Sequence, residues 1–229
     1  MKISVIIPCY NEEKTIEKIV NKILDLKDLD LEIIIINDNS TDSSKEIIET
    51  KLKKKIYKVI HNDTNSGKGY SIRKGIECAS GELILIQDAD LEYDPNDYYK
   101  ILEPLKSGIA DVVYGSRFIG SDKKRVLYFW HTLGNKFLTL FSNIFTNLNL
   151  TDMEVGYKAF KTEILRSIVL KENRFGFEPE ITAKISKKNF HIYEVGISYF
   201  GRKYVDGKKI TWKDGFSAIR CIIKYNIFS

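Results

Sequence analysis

The chain has 229 residues, 43% of them hydrophobic and 29% charged, which reads as a soluble globular protein with room for one large α/β core or two small ones. A net charge of +5, with Lys and Arg weighted toward the second half, suits anionic ligands or lipid, although a solvated lysine-rich surface explains most of it. Cys9, Cys78 and Cys221 are odd in number and widely spaced, which argues against a disulfide framework or a zinc site and suits a reducing cytosol.

In chain order, the β-branched run at residues 3–7 predicts a strand, residues 12–26 an amphipathic helix and residues 32–36 a fully buried strand. The alternation continues with a helix over 41–52 capped by Ser40 or Thr41, a strand over 58–61 and a helix over 68–79 closed at Gly81. A strand over 82–87, a helix after Pro95 and a strand over 111–114 follow. This β-α order implies an α/β fold, a mainly parallel twisted sheet with helices on both faces. Ligands of such sheets bind beyond the carboxyl ends of the strands. No apolar run is long enough to cross a bilayer, and the first eight residues are too short and strand-like for a signal peptide, so a cytoplasmic protein is expected.

Four strands deliver polar residues to one rim: Pro8-Cys9-Tyr10-Asn11-Glu12, Asn37-Asp38-Asn39-Ser40, residues 62–69 with Gly67-Lys68-Gly69, and Asp88-Ala89-Asp90. Taken singly, each is explained by turn and cap chemistry. Together they favour a nucleotide pocket. If the chain is still extended at Asp88-Ala89-Asp90, both carboxylates face one ligand. Mg²⁺ or Mn²⁺ takes oxygen ligands and commonly bridges one or two carboxylates to substrate phosphates, so the expected partner is a phosphorylated small molecule. The Gly67-Lys68-Gly69 loop lacks the flanking pattern of a Walker loop, and no dinucleotide fingerprint is present.

The motifs I-I-P-C-Y-N-E-E, I-N-D-N-S-T-D, N-S-G-K-G-Y-S-I-R-K-G and D-A-D-L-E-Y-D-P occur in that order. They are followed by G-S-R from Gly115, T-D-M-E-V-G-Y-K-A-F from Thr151, G-F-E-P-E-I from Gly176 and G-R-K-Y-V-D-G-K-K-I-T-W-K-D-G from Gly201. Over essentially its whole length the chain resembles the family 2 inverting glycosyltransferases of the GT-A fold, within the dolichyl or polyprenyl phosphate sugar synthase group.

That resemblance implies one glycosyltransferase domain over 1–229. Residues 1–115 would be its nucleotide-sugar half, and 116–229 its acceptor half with interfacial helices and a C-terminal lid loop. It implies Pro8, Tyr10, Glu12 and Asp38 around the base and ribose, followed by Asp88 and Ala89, with Lys68 and Lys209 also on the donor. Asp90, helped by Asp88 and Glu92, would hold the Mg²⁺ or Mn²⁺; relatives often carry Gln in place of Glu92.

The implied reaction is a single displacement. An oxygen of polyprenyl monophosphate attacks the anomeric carbon of a GDP-mannose or UDP-glucose type donor, and the configuration inverts. Arg117 would align the acceptor phosphate, and Arg202 and Lys209 would add positive charge from the loop over 201–212. Asp152 and Glu178 would orient sugar hydroxyls or assist proton removal, a buried ion pair being the competing reading.

Val126 to Trp130, then Leu133, Phe137, Leu140, Phe141, Ile144, Phe145 and Leu148, recur at helical spacing as one apolar face. Read one way this is a core-facing helix pair. Read the other, it lies on the cytoplasmic face of a membrane and guides a prenyl chain, with His131 and Asn135 one turn apart near the acceptor phosphate. The expected partners are thus a nucleotide sugar and a polyprenyl phosphate, with room for a membrane-anchoring partner or homo-oligomer and no role for nucleic acid. Two alternatives stand beside this: transfer to a glycan or glycolipid hydroxyl with Asp152 or Glu178 as base, and a nucleotide-sugar-binding module without turnover.

Overall fold

Uninterrupted Ile and Val runs build the centre of the sheet. Strand β1 (Lys2–Cys9) pairs in parallel with β2 (Asp30–Asn37) along its whole length. Ile3, Ile6, Ile7, Ile34, Ile35 and Ile36 are completely buried there, and each contributes roughly 1.5–3 kcal/mol by leaving water. A computed structural model describes residues 1–120, 125–126, 128–202 and 212–228.

Strand β3 (Lys58–His61) lies outside β2, and β4 (Leu83–Ile86) flanks β1 on the other side, all in parallel. Beyond β4 the order departs from simple alternation. Strand β6 (Lys158–Lys161) runs antiparallel between β4 and β5 (Val112–Ser116), and β7 (Ile192–Gly196) pairs in parallel with β5. The seven strands therefore stand in the order β3-β2-β1-β4-β6-β5-β7. Sequence periodicity did not anticipate β6 or β7.

The helices around the sheet are α1 (Ile16–Leu24), α2 (Ser44–Ile47), α3 (Lys68–Cys78), α4 (Tyr98–Lys106), α5 (Phe129–Thr146), α6 (Thr162–Arg166), α7 (Phe177–Ser186) and α8 (Trp212–Ile227). Two differ from expectation at their starts. Residues 12–15 form a turn before α1, in which the Glu12 carbonyl accepts from the Thr15 and Ile16 amides. Ser40 and Thr41 do not cap α2. Instead the Ser40 hydroxyl accepts from the Asn11 amide at 3.0 Å, and the Thr41 amide donates to Asn11 Oδ1 at 2.8 Å, so these side chains tie two rim loops together. Helix α2 then widens into a π-type turn over Ile48–Leu52.

Glu32 on β2 is buried and holds three segments at one point. It takes bonds from the Lys2 ammonium at 2.6 Å, the Ser4 hydroxyl, and the Ser80 hydroxyl at 2.6 Å. Burial alone would raise its pKa, but the bonds from Lys2, Ser4 and Ser80 bring it down to about 2.

The aromatic segment is one helix, α5, with two faces. Leu138, Phe141 and Phe145 pack on the core, whereas Phe129, Trp130, Leu133, Phe137, Leu140 and Ile144 point outward, Trp130 being 77% exposed. One side of the segment thus meets the core-facing expectation, and the other is an exposed apolar face. Helix α8 packs against α5 and α7 and adds an exposed Phe216. Among the described residues, no helix is long and apolar enough to cross a membrane.

Candidate functional site

The carboxyl ends of β1, β2, β3 and β4 converge, and their loops are cross-linked. Asp38, at the end of β2, is buried; its Oδ1 accepts from Asn62 Nδ2 at 2.7 Å and the Ser66 amide at 2.9 Å, and its Oδ2 from the Gly67 amide at 2.7 Å. Asp38 thus shapes the 62–67 loop from within. Gly67 has φ +98°, and a Cβ there would stand 2.5 Å from the Asn173 carbonyl oxygen; at Gly69 it would stand 2.4 Å from that of Glu172. The two glycines flanking Lys68 therefore let the start of α3 lie against the backbone of residues 172–174, with Tyr70 N donating to the Asn173 carbonyl at 3.0 Å.

This packing aims Lys68 at the acidic rim. Its ammonium lies 2.6 Å from Asp88 Oδ1 and 3.4 Å from Glu178 Oε1. Burial alone would lower the pKa of Lys68; Asp88 and Glu178 outweigh that and raise it, so the side chain stays charged. Glu178, at the start of α7, is also paired with the fully buried Lys158 of β6. Lys158 donates as well to the Met153 and Val155 carbonyls, so β6 fastens the 153–157 segment beneath Asp88. There Gly156 lies so close that a Cβ would stand 2.3 Å from Asp88 Oδ2.

On the opposite side of the rim stands Arg202. Its Nη2 is 2.7 Å from Glu12 Oε2 and 3.2 Å from Asp90 Oδ2, and its amide donates to Glu92 Oε1 at 2.6 Å. The Tyr199 hydroxyl donates to Glu92 Oε2 at 2.9 Å, so both Glu92 oxygens are engaged by the 199–202 segment. Asp90 Oδ1 accepts from the Glu92 amide at 3.0 Å. Asp90 Oδ2 thus already faces a cation, and Asp88 lies nearby with Lys68. Among the described residues no three acidic, His or Cys side chains form a closed metal cage. A Mg²⁺ or Mn²⁺ bound mainly by diphosphate and water needs only one or two protein carboxylates. Asp90 and Asp88 are the residues with that capacity.

Arg117 follows β5 and is 8% exposed, and Asp152 is fully buried. Arg117 Nε and Nη2 each reach a different Asp152 oxygen at 2.7 Å, and the Arg117 amide adds a third bond at 3.0 Å. Burial would lower the pKa of the guanidinium, but Asp152 holds it well above its usual value. The Tyr199 ring lies 5.2 Å from the guanidinium carbon. Asp152 therefore orients Arg117, and both its oxygens are committed.

Pro8, next to last in β1, lies opposite Ile36, Tyr10 is half-buried in the loop beyond the strand, and Ala89 is buried between the two aspartates. His131 and Asn135 are half-buried on successive turns of α5, His131 with its ring 6.0 Å from that of Tyr128. Lys209, like Lys208, lies outside the described residues. Sequence reasoning missed Lys158, which pairs with Glu178 across the sheet, and Glu154, whose Oε1 is enclosed without a hydrogen-bond partner among the described residues. The acidic position two residues after Asp152 was the available signal for Glu154.

The model of the family described as Glycosyl transferase family 2 matches residues 4–169. Among curated proteins, the chain is 30% identical to a dolichol-phosphate mannosyltransferase of Pyrococcus furiosus over 92% of this chain and 61% of that one, so it spans about three-fifths of that relative. It is 26% identical to an undecaprenyl-phosphate mannosyltransferase of Micrococcus luteus over 91% of this chain and 87% of that one. Among solved structures, glucosyl-3-phosphoglycerate synthase of Mycobacterium tuberculosis superposes with a TM-score of 0.76 at 19% identity, covering 98% of this chain and 80% of that one; it was crystallised with Mn²⁺, UDP and glucosyl-3-phosphoglycerate. The mixed α/β fold with its seven-stranded sheet is the GT-A fold that the motifs led us to expect.

Proposed function

We propose that this chain, which belongs to glycosyl transferase family 2 and is a glycosyltransferase, moves a hexose from a nucleotide sugar to a polyprenyl phosphate at the cytoplasmic face of a membrane, with inversion. The observation that carries this reading is the single rim on which the Asp88–Lys68 and Asp90–Arg202 pairs share a site with the buried Arg117, in a molecule whose helix α5 turns an aromatic face outward. The names of the Pyrococcus and Micrococcus relatives support a lipid-phosphate acceptor and a mannosyl donor.

In this mechanism the acceptor phosphate is its own nucleophile. Its second pKa lies near ~6, so it is largely dianionic at neutral pH and needs no strong base. Arg117, held by both oxygens of Asp152, presents its remaining N–H groups to that phosphate and aligns one oxygen with the anomeric carbon. Lys68 and Arg202 stabilise the negative charge that accumulates on the departing nucleoside diphosphate. A divalent cation held by Asp90 with Asp88 would supply further positive charge there. Glu12 and Asp38 fix the loops that receive the nucleotide. A groove of about 360 Å³ beside Arg117, lined by Phe118, Lys136, Thr139, Leu140 and Asn143, offers the lipid a path from α5. A hydroxyl acceptor would need a base, and Asp152 and Glu178 are each held by a buried cation.

The test is to incubate the protein and Mn²⁺ with radiolabelled UDP-glucose, GDP-mannose and UDP-N-acetylglucosamine, each with and without undecaprenyl phosphate, and to extract into organic solvent. Label in the lipid phase that is lost in Asp90→Ala is the expected result. Nucleoside diphosphate release only with a hydroxyl acceptor would replace this reading.

A further inference from the structure

Three carboxylates, Asp152, Glu178 and Glu154, gather about Arg117 and Lys158, and the first two are each paired with a cation. Asp152 has both oxygens on Arg117; Glu178 pairs with Lys158 through Oε2, and its Oε1, which makes no hydrogen bond, still faces the Lys68 ammonium at 3.4 Å. The third is Glu154, on the connection from α5 to β6. Its Oε1 is enclosed and receives no hydrogen bond among the described residues. The charged groups acting on it come from every side: Glu178 on α7, Lys158 on β6, Arg117 after β5 and Asp152 on its own segment. Burial first, then Glu178, raises its pKa to about 7 against the opposing pull of Lys158 and Arg117. The same segment passes beneath Asp88 two residues further on, at Gly156.

A buried acceptor without a donor costs roughly 1–3 kcal/mol, and such a group calls for a partner that the protein itself does not provide. That partner is not a phosphate, since a carboxylate repels one. Between the donor diphosphate and the acceptor phosphate the only uncharged part of either substrate is the hexose, which is covered in O–H donors. We propose that the Glu154 carboxylate accepts a hydrogen bond from a hydroxyl of the transferred sugar and so helps to select it. This inference rests on transfer from a nucleotide sugar as set out above.

Equilibrium binding of UDP, GDP, UDP-glucose and GDP-mannose with Mn²⁺, measured for the wild type, Glu154→Gln and Glu154→Leu between pH 6 and 8.5, tests it. Glu154→Leu is expected to lose about tenfold in affinity for the preferred nucleotide sugar, with the matching nucleoside diphosphate held within twofold. In the wild type the ratio of sugar to diphosphate affinity rises with pH through about 7, and in Glu154→Gln it is flat. Glu154→Gln keeps the shape and an acceptor oxygen, so it reports on the site even if Glu154→Leu folds poorly. Sugar and diphosphate affinities falling in step, or a ratio unchanged in both variants, would overturn this inference alone. Lost turnover with unchanged sugar binding in Glu154→Gln would overturn it by assigning a proton-transfer role instead. A wild type that binds none of the four ligands would overturn the proposed function as well.

Discussion

Arg117 and Asp152 form a buried, two-pronged pair in which two guanidinium nitrogens each reach a separate carboxylate oxygen at 2.7 Å. Lys at 117 would keep the charge and lose the fork. Arg117→Lys is expected to lower transfer to lipid by about 10²-fold through the KM for polyprenyl phosphate and alignment, leaving nucleotide affinity unchanged; steady-state kinetics against both substrates checks it. Asp152→Ala leaves a buried guanidinium unpaired, and a loss of about 3–5 kcal/mol in denaturant unfolding is expected.

Glu32 makes the protein sensitive to acid. Its folded pKa is about 2, against an ordinary value of 4.5, so the unfolded chain binds the proton more readily between those values. The stability it contributes is complete above about pH 4.5 and lost as the pH falls toward 2. Glu32→Gln should cost on the order of 2 kcal/mol at pH 7, the gap to wild type closing near pH 2 to 3 in chemical denaturation.

For Glu154 the sign is reversed. Burial raises its folded pKa to about 7, so the native state binds the extra proton between pH 4.5 and 7 and stability declines across that window. Glu154→Gln removes the cost of burying a charge. Its melting temperature is expected to exceed that of the wild type at pH 8 and to converge with it at pH 5.

Gly69 allows the contact between α3 and the 172–174 backbone. A methyl group 2.4 Å from the Glu172 carbonyl forces these segments apart, so Gly69→Ala should cost roughly 1–3 kcal/mol. Because Lys68 reaches Asp88 from this turn, nucleoside diphosphate affinity should fall with it, as isothermal titration would show.

The outward face of α5 makes a separate prediction. Trp130 and Phe137 are 77% and 54% exposed, so their joint replacement by Ser should leave the melting temperature within about a degree of wild type. Association with anionic phospholipid vesicles should fall tenfold or more, since each such side chain contributes roughly 1.5–3 kcal/mol when removed from water. Vesicle co-sedimentation reads this directly.

The parallel half of the sheet was legible because β1, β2 and β4 are unbroken apolar runs whose carboxyl ends release polar residues together. Strand β6 was not. Its four residues begin and end with lysine, and Lys158 is buried only because Glu178 neutralises it. The acidic residues of the rim could be read from Asp88-Ala89-Asp90, but not their directions: the chain bends from Ala89 on, and Asp88 meets Lys68 while Asp90 meets Arg202. Lys68, Arg202 and Arg117 were expected at the site through the resemblance, but which acids they pair with could not be read. Lys68, Arg202 and Arg117 find acids 20, 112 and 35 positions away, and pairing over such distances leaves no trace in periodicity. The start of α2 failed for a local reason: Ser40 and Thr41 have the chemistry of caps, but Asn11 offers them partners across the rim.

The antiparallel insertion of β6 also constrains how the protein comes into being. Strand β5 has no sheet to join until a segment made some forty residues later bridges it to β4. A nascent chain that has just delivered β5 therefore carries an unsealed β4 edge and a detached hydrophobic strand, the kind of surface on which chains aggregate. Cutting after residue 115 would freeze the molecule at that stage. The boundary expected between residues 115 and 116 falls inside β5, so a cut there parts strands that share one sheet.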